Sequence, residues 1–465
     1  METLPFPLLD GRRPRRTLKV VLGLDCANGC TYCALKNAQG FEGTRRTRLQ
    51  PRIAEPLIRQ AAEKYELSGL EVGAGETFDY PELWEWLLDL NVRELKVPMM
   101  AFTSGLSRHT ARVIDAIAAS KVPVFLLVSY DGRLSERNMS NWREAEKAYR
   151  SMRAHLAGSP QVTLKLTACV TPEDTRHLKN NFLSLLDLEN EPFAFRPIKR
   201  SFSETQRVDF VQQFGSFLQE ATRRGVTMAA PPEGDTWELR LKRDWTCHKL
   251  GISLLPDGRF TDCYVAWYCS DFAASRTLPS LEGLDRFFAG AETPRLPSCQ
   301  ACLDAFDLCN LCPAGLADFR RNTGHSYYDP AFCRMVNQTS LLLFDQALES
   351  RPGLEVVLKR GPAETRIQRE PGGVLLVRPS AQPSLAIDPR DLHAPMPIDV
   401  LERAVMALKA EVVRPLGENV PLLRERARNP SFDETIQHAD LRIDNMAKVR
   451  SRTVQPLGVA NAGTE

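Results

Sequence analysis

The sequence predicts an α/β protein: an open or partial (β/α)6 barrel over its first half, a small cysteine-rich domain after it, and a C-terminal α+β extension. Three observations carry this. Apolar runs of strand length alternate six times with longer amphipathic stretches between Thr17 and Arg224. Regular periodicity then gives way to clustered cysteines after the Pro/Gly-containing segment Ala229–Asp235. Helix- and strand-length patterns return beyond Asn337.

In chain order, Leu18–Leu24, Leu70–Gly73, Leu95–Phe102, Val122–Val128, Val162–Thr167 and Phe193–Pro197 read as buried strands of a parallel sheet. Arg52–Glu66, Glu82–Leu90, Arg108–Ala119, Trp142–His155, Thr175–Leu188 and Thr205–Arg224 read as the helices that connect them. Parallel strands need crossovers, so these helices lie outside the sheet, and reacting groups belong at the C-terminal strand ends. GISLLPDGRFTDC reads as a β-hairpin turned by Pro256-Asp257-Gly258. Thr339–Ser350 is helix-like, Leu354–Lys359 and Gly373–Arg378 strand-like, and Ile398–Val413 helical again. The expected domains are an N-terminal segment 1–17, the barrel 18–230, the cysteine-rich domain 236–337, the extension 338–441 and a polar, aperiodic, mobile tail 442–465.

Bulk properties narrow the class. A chain of 465 residues, 43% hydrophobic and 25% charged, is suited to two or three globular units. Its net charge of +2 gives no argument for a nucleic-acid or membrane-surface partner. No run approaches the roughly 18 to 20 apolar residues of a membrane span. METLPFPLLDGRRPRRT puts its apolar residues before its arginines, opposite to a secretory signal, so a cytoplasmic protein is expected. The twelve cysteines are grouped by position, which favours metal sites over a disulfide framework.

The first group, Cys26, Cys30 and Cys33, directly follows the first strand with spacing C-x3-C-x2-C. Three thiolates can hold three irons of a four-iron cluster and leave the fourth iron open. Asn28 and Gly29 suit a tight turn around such a group. A structural zinc with a borrowed fourth ligand is the plainer alternative. The second group is Cys247, Cys263, Cys269, Cys299, Cys302, Cys309, Cys312 and Cys333. Its two C-x2-C pairs invite a zinc reading, but the six residues between them fall short of the ribbon spacing of about 15 to 20. Cys169, inside a strand-like run, reads as a core thiol.

The first triplet resembles that of the radical S-adenosylmethionine enzymes. There it ligates a [4Fe–4S] cluster whose open iron chelates S-adenosylmethionine. One electron cleaves the sulfonium, and the resulting 5′-deoxyadenosyl radical takes hydrogen from substrate. Tyr32 matches the family's aromatic residue before the third cysteine, near the adenine. Gly75 and Glu76 in VGAGETFDYPEL match the Gly-Gly-Glu element that contacts the methionyl amino group, with Ala74 and Thr77 departing from it. Thr103-Ser104-Gly105 resembles a Thr-Asn-Gly element. Ser129 in Val128–Gly132 matches a serine that contacts the carboxylate, and either Arg137 or Arg143 is near enough to be its downstream arginine. The resemblance thus implies that Tyr32, Gly75, Glu76, Ser104 and Ser129 surround S-adenosylmethionine.

The second group resembles the SPASM extension of the same enzymes. Cys247, Gly258 and Cys263 form C-x10-G-x4-C, and Cys299, Cys302, Cys309, Cys312 and Cys333 follow in order, with Cys309 shifted by one position. The resemblance implies two auxiliary [4Fe–4S] clusters, three in all. Cys247, Cys263 and Cys312 serve the first, with either Cys269 or an open iron in the fourth place. Cys299, Cys302, Cys309 and Cys333 serve the second. It further implies radical modification of a ribosomally made peptide or protein by crosslinking, oxidation or epimerisation, with an external one-electron donor of flavodoxin or ferredoxin type. Recognition would fall to Leu354–Leu441 or to a separate leader-binding partner. The alternatives are radical chemistry on a sugar or aminocyclitol, and a non-catalytic zinc-stabilised binding protein.

Overall fold

The computed structural model describes residues 15–26, 28, 30, 32–33, 47–73, 75–198, 202–229, 231, 233–240, 251–261, 277–283, 308, 330–360, 363–379 and 385–387. The six strand–helix repeats are present: β1 (Arg15–Val21), α1 (Pro51–Lys64), β2 (Glu66–Gly73), α2 (Pro81–Leu90), β3 (Met99–Thr103), α3 (Thr110–Ser120), β4 (Val124–Ser129), α4 (Trp142–Leu156), β5 (Val162–Val170), α5 (Leu178–Glu189), β6 (Ala194–Pro197) and α6 (Glu204–Arg223). Proline in the first turn starts α1 and α2, and a Ser203/Gln206 capping box starts α6. The chain divides into two units, one of residues 1–169, 245–292 and 312–318, the other of 170–244, 293–311 and 319–465.

In the first unit, β1 to β5 pair in parallel, in chain order, along the row Leu18–Leu70–Met99–Val124–Val162. Leu18, Leu70, Met99 and Val124 are buried, as are Ile58, Ala61, Trp84, Leu87, Val113 and Ile117 of the crossover helices. The next row, Lys19–Glu71–Met100–Phe125, points to the opposite face. There Lys19 pairs with Glu71, and Phe125 and its neighbour Phe102 are exposed. The apolar runs suggested strands buried on both faces; the structure buries the helix-side face and leaves the other partly open.

The hairpin expected around Gly258 is present as β8 (Gly251–Leu254) and β9 (Phe260–Thr261), antiparallel, with β10 (Thr277–Leu278) beyond β9. The Leu255 N–H donates to the Arg259 carbonyl at 2.8 Å, and Gly258 turns the chain at φ +83°. β8 also runs parallel to β1, from Thr17–Gly251 to Val20–Leu254, so this hairpin extends the sheet on the side away from β2.

The second unit holds a sheet ordered β14 (Leu385–Ile387), β13 (Leu375–Pro379), β12 (Ala363–Arg369), β11 (Glu355–Arg360), β7 (Thr236–Arg240). Its pairs are antiparallel except β11 with β7. Helix α7 runs Pro330–Ser350, starting nine residues before Thr339. Gln346 on α7 accepts from the Met228 N–H at 2.8 Å and donates to the Val226 carbonyl at 3.1 Å, fastening the chain that leaves α6. Phe182, Phe193, Phe214 and Phe217 interlock edge-on beside it. The helix expected at Ile398–Val413 and the tail 442–465 lie outside the described residues. Among the described residues, no helix is long and apolar enough to cross a membrane.

Candidate active site

The sequence-predicted residues of the first unit meet at the C-terminal ends of β1 to β5, where an α/β sheet leaves backbone groups and loops free for chemistry. Cys26, Cys30 and Cys33 are reduced, in no disulfide, and half-buried after β1. Burial pushes the Cys26 thiol up, the Asn28 N–H opposes it, and the charges of Glu76, Cys30 and Cys33 add to it. The three thiols are therefore near enough to feel one another.

The loop after β2 is zipped onto the residue before this triplet. The Gly75 N–H donates to the Gly23 carbonyl at 3.3 Å, and the Glu76 N–H to the Asp25 carbonyl at 3.0 Å. A Cβ on Gly75 would stand 2.3 Å from the Asp25 oxygen and 2.7 Å from that of Leu24, so only glycine allows the approach. Glu76, 3% exposed, accepts from the Phe78 N–H (3.1 Å) and the Thr103 hydroxyl (2.5 Å) at Oε1, and from the Ser104 N–H (2.8 Å) and hydroxyl (2.6 Å) at Oε2. The Ser104 oxygen in turn accepts from Asn28 Nδ2 at 3.0 Å and the Leu106 N–H at 3.2 Å. One hydroxyl thus ties the cysteine loop to the carboxylate and uses all its hydrogen-bonding capacity doing so.

On the other side, the Tyr32 hydroxyl donates to Asp131 Oδ2 at 2.5 Å. Asp131 Oδ1 accepts from the Cys169 N–H at 2.8 Å and lies 3.9 Å from Arg137 Nη1, which also reaches the Tyr32 oxygen at 3.3 Å. Burial pushes the Asp131 carboxyl up against the pull of Arg137, Tyr32 and the Cys169 N–H. Burial, then the Asp131 charge, keeps the Tyr32 phenol protonated far above its usual range. Of the two arginines near β4, Arg137 faces this cluster, whereas Arg143 stacks on Trp142 at 4.6 Å. Ser129, half-buried at the end of β4, has a hydroxyl with no partner among the described residues.

Two residues were not anticipated here. Tyr80 accepts from the Asp25 N–H at 2.7 Å and lies under the Arg48 guanidinium, which also pairs with Asp25 at 3.2 Å. Cys169, expected in the core, is half-buried, and its charge reaches Tyr32 and Arg137. Cys247, Cys263, Cys269, Cys299, Cys302, Cys309 and Cys312 lie outside the described residues; Cys333 is in the first turns of α7, and only its backbone is described.

The donor set can be tested against a metal group. Among the described residues, no three His, Cys, Asp or Glu side chains converge on a single ion, as zinc would require. Three soft thiols carried on one short loop are the donor type that an iron–sulfur cluster takes, one sulfur to an iron.

No family model matches the chain, and no curated protein matches it. Among solved structures it is similar to native anSMEcpe with bound AdoMet, with TM-score 0.44 and 14% identity over 71% of this chain and 100% of that one. It is also similar to Streptococcus suis SuiB bound to S-adenosylmethionine, with TM-score 0.45 and 13% identity over 66% and 76% of the two chains. SuiB bound to precursor peptide SuiA gives 0.41 and 14% over 64% and 71%.

Proposed function

We propose that this chain is a radical S-adenosylmethionine enzyme with auxiliary iron–sulfur clusters, acting on a ribosomally made peptide or protein. The observation that supports it best is the row of strand ends: three half-buried thiols after β1, a buried carboxylate after β2 and a half-buried hydroxyl ending β4. Cys26, Cys30 and Cys33 would hold the cluster. When bound, it supplies the electron that reductively cleaves S-adenosylmethionine and so starts hydrogen abstraction from substrate.

The chain's own residues would orient that ligand. Glu76 places negative charge beside the cysteine loop for an amino group, and Gly75 lets that carboxylate come so near. Ser104 acts by holding Glu76, Ser129 offers a hydroxyl to a carboxylate, and the Tyr32 ring flanks the adenine. Cys247, Cys263 and Cys312, with Cys269, would carry one auxiliary cluster, and Cys299, Cys302, Cys309 and Cys333 the other. A peptide or protein substrate, modified by crosslinking, oxidation or epimerisation, is what the resemblance to the SPASM-containing enzymes implies.

Anaerobic reconstitution with iron and sulfide tests this, with about four irons per cluster expected. Adding a reductant and S-adenosylmethionine is expected to release 5′-deoxyadenosine, and replacing Cys26, Cys30 and Cys33 together by alanine to abolish that release. Release that survives the triple replacement, or stoichiometric zinc instead of iron, would sink the reading. Offering a precursor peptide and a sugar in parallel decides the substrate class by which one gains a mass change.

A further inference from the structure

We infer that Asp131 is a positioning residue: through the Tyr32 O–H it latches the C-terminal arm of the cysteine loop to β4, and so sets where S-adenosylmethionine lies. The ligand part of this rests on the reading above, whereas the latch itself does not.

Tyr32 sits between Cys30 and Cys33, so its hydroxyl fixes the stretch of loop that carries both. Its acceptor is held by the sheet. Asp131 is 2% exposed, lies two residues beyond the end of β4, accepts from the Cys169 N–H at the end of β5, and donates its own N–H to Asn138 Oδ1 at 2.9 Å. A carboxylate so restrained dictates the position of a loop hydroxyl rather than following it. Arg137 closes the triangle, 3.9 Å from Asp131 and 3.3 Å from Tyr32, and offsets the burial of the negative charge. The other arm of the loop is pinned independently, by Asn28 to Ser104 at the end of β3. Two pins on two strands, one on each side of Cys30, are what holding three thiols in fixed relation requires. The Tyr32 hydroxyl is spent on the latch, which leaves the ring face for a ligand.

Tyr32→Phe, Asp131→Asn and the double variant of the full chain test this in two states. In the metal-free protein, hydrogen exchange of the Cys26–Cys33 amides is expected to speed up roughly tenfold in each single variant, the loss of one hydrogen bond to a charged group. The double variant is expected to exchange no faster than the faster single, because both changes break one link. In the reconstituted protein, iron content is expected to stay at the wild-type level while S-adenosylmethionine affinity, read by equilibrium dialysis, falls roughly tenfold. Wild-type exchange in Tyr32→Phe, or effects that add in the double variant, would overturn the latch. Should Asp131→Asn not fold, Tyr32→Phe decides alone, since it keeps the ring and removes one oxygen. If the wild-type chain binds no S-adenosylmethionine, the functional reading fails, and the exchange comparison still decides the latch.

Discussion

Gly75 places a carboxylate by lacking one carbon. With a Cβ, Gly75→Ala would collide with backbone atoms that have no rotamer to escape into. The β2 loop would lift from the β1 loop and the Glu76 N–H would leave Asp25, costing about 1–3 kcal/mol. Urea denaturation of the metal-free chain would read this as a lower midpoint with unchanged slope. Ser104→Ala is expected to cost about 1–3 kcal/mol in the same assay, because buried Glu76 loses a donor and Asn28 an acceptor. Ser104→Thr, which keeps the hydroxyl, is expected to lose less. The glycine, the glutamate and the cysteines could be read from the sequence because their spacing is local. Tyr80 on Asp25 and Asn28 on Ser104 could not: these bonds join residues 55 and 76 positions apart, and side-chain partners at that range leave no periodicity.

At the scale of elements, the turn of the β8–β9 hairpin shows why a glycine stands between Cys247 and Cys263. Gly258 is left-handed, and a Cβ there would also touch Ile53 of α1 at 3.0 Å. Gly258→Ala is expected to cost about 1–2 kcal/mol. Gly158→Ala, with nothing within 4 Å of the added carbon, is expected to change stability by less than about 0.5 kcal/mol. Thermal unfolding of the two variants side by side checks this. The six strand–helix repeats were legible because each apolar run is bounded by an amphipathic stretch, and boundaries moved by only a few residues. Other elements were not. In β12, Thr365 and Ile367 are buried while Arg366 is exposed, an alternation too short and too charged to stand out. The first turns of α7 contain Cys333, and the cysteine spacing there overlies the helical periodicity. The β8–β1 pairing has no local signal at all.

For the molecule as a whole, acidity acts on the second unit through Asp345. Burial raises its carboxyl to about 6, with Arg369 at 3.2 Å opposing the rise. A folded-state value above the unfolded one means that the folded chain keeps a proton the unfolded chain has lost. Stability is then highest below about pH 4 for this group, falls as pH rises toward 6, and is level above. The change amounts to on the order of 1–3 kcal/mol. Asp345→Asn is expected to flatten that part of the profile, which denaturation at pH 4.5 and pH 7 would show by comparison with wild type.

The pairing of Thr17 with Gly251 has a further consequence, for the order of events during synthesis. Strand β1 and the triplet beside it leave the ribosome well before β8 does. One edge of β1 stays bare until well over two hundred further residues have followed, and an unpaired strand edge is an open template for aggregation. The thiols are therefore made before the sheet that frames them is complete. A nascent chain stalled before Gly251 carries all three cysteines next to an unfinished sheet, the moment at which a chaperone or a cluster donor would matter most.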